Sequence, residues 1–313
     1  MSPERVLTDV DGRELSLSNL DKVLYPATGF TKSQVLDYYA RIAEVMVPHL
    51  RTRPTTLRRY PNGVEGMSFF EKHAPEKLPS WIDTIEVPSK TGEHEPIEYL
   101  DVNDRPTLLW AANLAALEIH VPLWHVTKGK PLPTPPDYMV FDLDPGPDTT
   151  IVECCRVGQW LGEHLGRENL YAKTSGSKGL QLYTGVQRAT WDRHSEKAHE
   201  IAQAIERDHA NEVVSTMRKT LRHGKLLIYW SQNNSSKTTV AVYSLRARPE
   251  PTVSTPVTWQ EIDRCAKSGD PQQLIFRTDD VLRRVDKMSD LFAPLVRPRA
   301  REVKERTSTR QSK

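Results

Sequence analysis

The chain has few cysteines, no long apolar run and almost no net charge, and each lack removes a class of protein. Three cysteines, Cys154, Cys155 and Cys265, stand among 313 residues. They lack zinc-ligand spacing, and neighbours in sequence rarely bridge each other. A disulfide scaffold is therefore not expected, and a reduced, cytoplasmic setting is. No run approaches the roughly 18 apolar residues of a membrane helix, and Met1-Ser2-Pro3-Glu4-Arg5 has no apolar signal core, so neither a membrane partner nor secretion by that route is expected. The formal net charge of +2 is too small for a global basic field announcing nucleic acid. No G-x-x-x-x-G-K-[ST] occurs, which excludes a Walker A loop. Internal repeats are absent, as is a clear interdomain linker before residue 296.

What remains is an ordinary globular composition, 37% hydrophobic and 27% charged, with enough apolar content for a core. The charge is unevenly placed. Arg297 to Lys313 holds seven Lys or Arg against two Glu, with few apolar residues and several Ser, Thr and Pro. This reads as a basic disordered tail, 296–313, behind a folded body, 1–295.

Tyr138-Met139-Val140-Phe141-Asp142-Leu143-Asp144-Pro145-Gly146 reads as a short apolar strand that breaks at Pro-Gly. Successive strand side chains alternate, so Asp142 and Asp144 share one face. Two carboxylates side by side repel unless a cation lies between them, which suits a hard divalent ion such as Mg²⁺ or Mn²⁺. Alone, the pair also fits a strand end with solvated acids. Farther along, Thr174-Ser175-Gly176-Ser177-Lys178-Gly179 lies between two apolar stretches. Its glycines allow a ligand close to the backbone, its N–H groups can form an anion-binding concavity, and Ser175 and Lys178 add a hydroxyl and a point charge for phosphate. A plain small-residue hairpin is the competing reading.

The rest of the chain supplies context. Thr31 reads as an N-cap for a helix from Lys32 to His49 with a 3.6-residue apolar period. Arg51 to Gly63 reads as a basic strand running into a turn, and Met67 to Lys72 as a loop carrying Phe69 and Phe70. Paired Phe residues usually enter a core, but beside four arginines they also suit a stacking platform with phosphate contacts. Strands are expected at 96–103, 118–121, 226–230 and 237–245, and helices at 105–117, 149–166, 192–210 and near 278–292. His120 alternates with apolar neighbours and points away from their face; read alone, it is a buried, hydrogen-bonded histidine.

Taken together, NLDKVLYP, RRYPNG, FFEKHAP, LEIH, MVFDLDPG, TSGSKGL, LRHGK, WSQN, SKTT and YSLRAR, in this order and spacing from Leu17 to Leu291, resemble the polymerase domain of bacterial ligase D, a branch of the archaeo-eukaryotic primase superfamily. The resemblance implies an α+β fold, with mixed, antiparallel sheets around a cleft and an RRM-like catalytic half. It implies two-metal nucleotidyl transfer from an NTP or dNTP to a primer 3′ end at gaps or broken ends, in end joining, with Mn²⁺ or Mg²⁺. Asp142 and Asp144 match the family's first two metal ligands, and His120 its histidine on the preceding strand. Ser175 and Lys178 match the triphosphate loop, and Arg222, Gln232 and Arg246 match positions that meet the nucleotide. Lys22, Lys32 and Arg58 fall where the family recognises a 5′-phosphate, and Phe69 and Phe70 where it stacks on template. A Ku-like partner, a separate DNA ligase, a bacterial, nucleoid-associated location and a free-standing domain are further expectations of the resemblance.

Two positions depart from that pattern. Tyr229 stands where the family has a third metal-binding Asp, and Gln181 where it has a histidine in the nucleotide-binding group. A phenol, neutral at pH 7, brings no charge to hold a second ion, and Gln181 can donate a hydrogen bond but no positive charge. Either catalysis persists in weakened form, or the chain is a catalytically inactive binder of DNA ends and nucleotides.

Overall fold

The structure, a computed structural model, describes residues 5–88, 95–130, 132–186 and 190–296. The chain opens with the hairpin β1 (Arg5–Val10) and β2 (Arg13–Ser18), then the short pair β3 (Val23–Tyr25) and β4 (Phe30–Thr31), and enters α1 (Lys32–Leu50). Next come β5 (Pro54–Arg59), β6 (Phe69–Glu71), β7 (Thr84–Val87), β8 (Ile97–Asp101), α2 (Arg105–Asn113) and β9 (Ala116–Pro122). The following stretch is β10 (Tyr138–Pro145), α3 (Ile151–Leu165), β11 (Leu170–Thr174), β12 (Leu180–Gly185), α4 (Trp191–Asp208), β13 (Val213–Val214), β14 (Leu226–Tyr229) and β15 (Thr238–Val240). It closes with β16 (Pro256–Val257), α5 (Trp259–Ser268), α6 (Thr278–Met288) and α7 (Ala293–Val296).

Two six-stranded sheets carry the fold. One runs β13-β14-β10-β12-β11-β16, with only β13 and β14 parallel. Within it β10-α3-β11-β12-α4-β14 is a βαββαβ unit whose strands lie in the order β14-β10-β12-β11, which is the RRM-like half. The other runs β15-β9-β5-β8-β7, with β6 also paired to β5, all antiparallel. The fold is thus α+β with mixed sheets, as expected. One continuous core joins the α1 residues Tyr39, Ile42 and Met46 to Leu117 and Ile119 of β9 and to Phe141 and Leu143 of β10.

Local chemistry explains the element ends. Thr31 caps α1 in a capping box with Gln34, and Thr150 caps α3 in one with Glu153. Asp104 caps α2, which stops at Asn113, short of 117, because Ala115 adopts φ 59° and starts β9 at once. Strand 237–245 is also shorter than expected: β15 ends at Val240, and Tyr243, at φ 67°, turns the chain away. Ser289, at φ 56°, ends α6 before 292. Met67–Lys72 is not all loop, since Phe69–Glu71 pairs with Leu57–Arg59. Residues 297–313, the basic stretch, lie outside the described residues. Among the described residues no helix is long and apolar enough to cross a membrane.

Candidate active site

Strand register builds the centre of the site. Asp142 on β10 pairs with Tyr229 on β14 at one side and with Gln181 on β12 at the other, and Gln181 pairs in turn with Lys173 on β11. Directly opposed residues share a face, so Tyr229, Asp142, Gln181 and Lys173 form one row across four strands. Both departures from the family pattern therefore flank the same carboxylate. Lys173 is 1% exposed, and its ammonium donates to Gln181 Oε1 at 2.6 Å, Ser254 Oγ at 2.7 Å and the Val240 carbonyl at 3.1 Å. Burial pulls its pKa down to about 7, with Asp142 acting in the opposite sense. Burial also raises the Asp142 carboxyl above its ordinary range, against the hydrogen bond from Gln181 and the charge of Lys173. Gln181 further donates from Nε2 to Thr239 Oγ1 at 3.1 Å.

Asp144 projects on the same face as Asp142, two residues on. It is half-exposed, and Arg222 Nη2 donates to its Oδ2 at 2.5 Å. Beside them the β11–β12 connection folds back on itself. Ser175 N–H donates to the Gly179 carbonyl at 2.8 Å, and Ser175 Oγ accepts from the N–H groups of Ser177 and Gly179 at 3.2 and 3.0 Å. That internal bonding takes three of the loop's N–H groups, more than an open anion cradle would. Gly179 is required by space: a Cβ there would lie 2.4 Å from the Leu143 carbonyl, between the two aspartates. Arg246 Nη1 donates to the Ser175 carbonyl at 2.8 Å and fixes the loop from the other side.

These groups surround one cavity of about 590 Å³. Asp142, Asp144, Ser175, Lys178, Gln181, Arg222, Gln232 and Arg246 line it, together with His120 from the second sheet and Tyr229. Among the described residues its carboxylates are Asp142 and Asp144, against the cations Lys178, Arg222, Arg246 and Arg248. The cleft is set for an anion with several charges. Two adjacent carboxylates also fit one hard divalent ion, for which Arg222 would have to leave Asp144. Among the described residues no group of three or more His, Cys, Asp or Glu is placed to hold a metal. Tyr229, expected to stand in place of a third Asp, meets a cation: Lys237 Nζ donates to its hydroxyl. Burial pushes the phenol up, but hydrogen bonds from Lys237 and Ser231 outweigh it and leave it below its ordinary value.

The second sheet contributes a buried carboxylate that sequence reasoning passed over. Glu118, two residues before His120 and so on its face, has a 2% exposed side chain. His120 Nε2 lies 3.0 Å from its Oε2, Arg246 Nε 3.2 Å from Oε1, and Arg58 Nη1 3.6 Å from Oε2; the Ala247 N–H donates to it at 3.1 Å. Burial would raise Glu118, but the hydrogen bond from His120 and the charge of Arg246 prevail and hold it at about 2. Burial lowers His120 in turn, against its bond to Glu118. Glu118 was legible as the i, i+2 partner of His120. Lys173 had no sequence signal, since lysines are expected outside, and Lys237 stood in the SKTT stretch with no role assigned to it.

The residues expected to meet DNA fall partly together. Phe69 and Phe70 are 42% and 56% exposed, which rules out the core reading. Arg58 lies over Phe70 at 5.1 Å and over Tyr60 at 5.3 Å, and Arg59 over Phe69 at 5.3 Å. Lys22 Nζ is exposed and donates to Asn62 Oδ1 at 3.1 Å. Lys32 differs: it is 4% exposed, its Nζ donates to the Ser18 carbonyl at 2.6 Å, and burial, with Lys22 nearby, lowers it to about 8.

Comparison with known proteins places this geometry. The family described as LigD, primase-polymerase domain, matches residues 31–292. The chain is 44% identical over 282 residues to the multifunctional non-homologous end joining protein LigD of Mycolicibacterium smegmatis, covering 89% of this chain and 36% of that protein. It is 28% identical over 285 residues to the bifunctional LigD of Bacillus subtilis, covering 89% of this chain and 44% of that protein. The chain thus spans less than half the length of these relatives. A solved polymerase domain from Mycobacterium tuberculosis ligase D, in complex with DNA, superposes with a TM-score of 0.83 at 41% identity, covering 90% of this chain and 98% of that one. The chain belongs to the LigD primase-polymerase domain family.

Proposed function

We propose that the chain adds NTPs or dNTPs to primer 3′ ends at gaps or broken DNA ends, in end joining, at a reduced rate. The observation that carries this is the single cleft in which Asp142 and Asp144 face Lys178, Arg222 and Arg246. In this reading Lys178, Arg222 and Arg246 bind the triphosphate, and Ser175 holds the loop that presents Lys178. Asp142 and Asp144 would hold a Mn²⁺ or Mg²⁺ ion, which when bound activates the attacking hydroxyl and neutralises phosphate charge. His120, neutral and fixed by Glu118, orients Arg246 through that shared carboxylate. Gln232, whose Nε2 donates to the Thr238 carbonyl at 2.7 Å, shapes the nucleotide side of the cleft. Lys22, Arg58, Phe69 and Phe70 form the surface for template and 5′-phosphate. A Ku-like end binder and a separate ligase are the partners the family suggests.

A second reading is supported by the ion pair of Arg222 with Asp144 and by Tyr229 beside Asp142: a nucleotide and DNA-end binder without chemistry. Loss of a charged transition-state stabiliser costs roughly 3–4 kcal/mol, or 10²–10³ in rate, and two losses in one unit need not add. Primer extension on a gapped, 5′-phosphorylated duplex with Mn²⁺ and NTPs separates the readings. Extension by the native chain that Asp142→Ala abolishes is the expected result. A silent native chain, with extension restored by Tyr229→Asp and Gln181→His together, establishes the binder.

A further inference from the structure

The row that carries Asp142 ends in an ammonium on each side. On one flank lies buried Lys173, through Gln181. On the other, the Tyr229 hydroxyl accepts from Lys237 Nζ, which also donates to Ser231 Oγ at 2.8 Å and sits 4.4 Å from the centroid of the Tyr229 ring. Three contacts pin a side chain that is otherwise long and mobile, and they hold it next to the cross-strand partner of Asp142. A surface lysine gains little from such fixing. Here the fixed charge instead alters what the neighbouring carboxylate can accept.

The charge balance limits the metal content. The cleft's carboxylates among the described residues are Asp142 and Asp144, enough to neutralise one divalent ion. A second ion would meet no third carboxylate among the described residues and would meet instead the Tyr229 phenol, which lines the cleft with the ammonium of Lys237 bound to its hydroxyl. We propose that Lys237, held on the hydroxyl of Tyr229, the cross-strand partner of Asp142, supplies from behind that phenol the positive charge that a second divalent ion would otherwise bring, so that the cleft binds one ion per chain. Lys237 is then a positioning residue that acts through Tyr229. The inference rests on the reading of the cleft as a nucleotidyl-transfer site, but its central quantity, an ion count, is read without nucleotide.

The test is Mn²⁺ binding to the full chain by electron paramagnetic resonance, with thermal melts to confirm that each variant is folded. The native chain is expected to take one ion. Lys237→Met should still take one, bound roughly tenfold more tightly because a repelling charge is gone. Tyr229→Asp combined with Lys237→Met should take two. Binding of none or two ions by the native chain overturns the proposal. So does an unchanged affinity in Lys237→Met, or a folded double variant that stays at one ion. Addition of a non-hydrolysable nucleoside triphosphate then tests the underlying reading separately: one ion whose affinity ignores the triphosphate keeps the count but counts against nucleotidyl transfer.

Discussion

Glu118 holds Arg246, His120 and Arg58 at once, from a position almost closed to water. Breaking a buried ion pair by removing one partner leaves the remaining charges unbalanced and costs roughly 3–5 kcal/mol. Glu118→Gln keeps the shape and removes the charge, so urea unfolding at pH 7 should show a loss of that order, and His120 should move still further below its usual pKa by NMR titration. The acid dependence has a definite sign. The folded carboxylate sits at about 2, below its ordinary value of 4.5. Its contribution is therefore present above pH 4.5 and lost as pH falls toward 2. The stability gap between native chain and variant should close over that window, and a gap that persists at pH 2 would show that packing, not charge, is responsible. Arg246 and His120 were each legible from the family pattern. The carboxylate binding them was legible only as the i, i+2 neighbour of His120 and not as a buried charge, because burial of a charge depends on partners that lie far off in sequence.

Strands and turns set what can be read from sequence and what cannot. The period of two in β10 makes the common face of Asp142 and Asp144 legible, and the small residues of Ser175–Gly179 mark the turn. The row Tyr229, Asp142, Gln181, Lys173 is not legible, because register between strands far apart in sequence is set by tertiary packing, here of α3 on β10 and β12 and of α4 on β10. Gly146 reports how tightly these elements close: a Cβ there would lie 2.1 Å from the Arg222 carbonyl and 2.5 Å from that of Lys225. Both neighbours are backbone, so Gly146→Ala should cost roughly 1–3 kcal/mol through overpacking and move Arg222 off Asp144. Weaker triphosphate binding in calorimetry, together with the lower midpoint, checks it; a neutral variant would mean that the Arg222 turn is free to shift. On α4, His194 is 1% exposed, and burial lowers its pKa to about 4. A base depressed in the fold takes up protons more readily when unfolded, so stability is full above about 6.5 and falls as pH drops toward 4. His194→Phe should flatten that limb, by on the order of 3 kcal/mol for a shift of this size, in urea titrations between pH 7 and 4.

At the scale of the whole molecule, a net charge of +2 gives little long-range attraction to DNA, so the proposed reading assigns affinity to local groups, Lys22, Arg58, Phe69 and Phe70. Such binding is carried by displaced counterions and falls linearly in log–log terms with salt. Gapped duplex with a 5′-phosphate should bind more tightly than the same duplex without it, in gel shifts at matched ionic strength. Lys22→Ala and Arg58→Ala should each lower the salt slope by about one. Lys32, assigned the same role by sequence pattern, behaves differently in the fold. Its ammonium is buried and committed to the Ser18 carbonyl, at the junction of β2 and α1. Lys32→Ala should therefore lower the melting temperature as well as affinity, because the Ser18 carbonyl loses its donor. Lys22→Ala should leave the melting temperature near native. Equal affinity for phosphorylated and unphosphorylated gaps, with Lys22→Ala and Arg58→Ala both silent, would remove this surface from DNA recognition. The cleft would then have to meet the primer by another face, because the exposed rings of Phe69 and Phe70 lie on the same strand pair as Arg58.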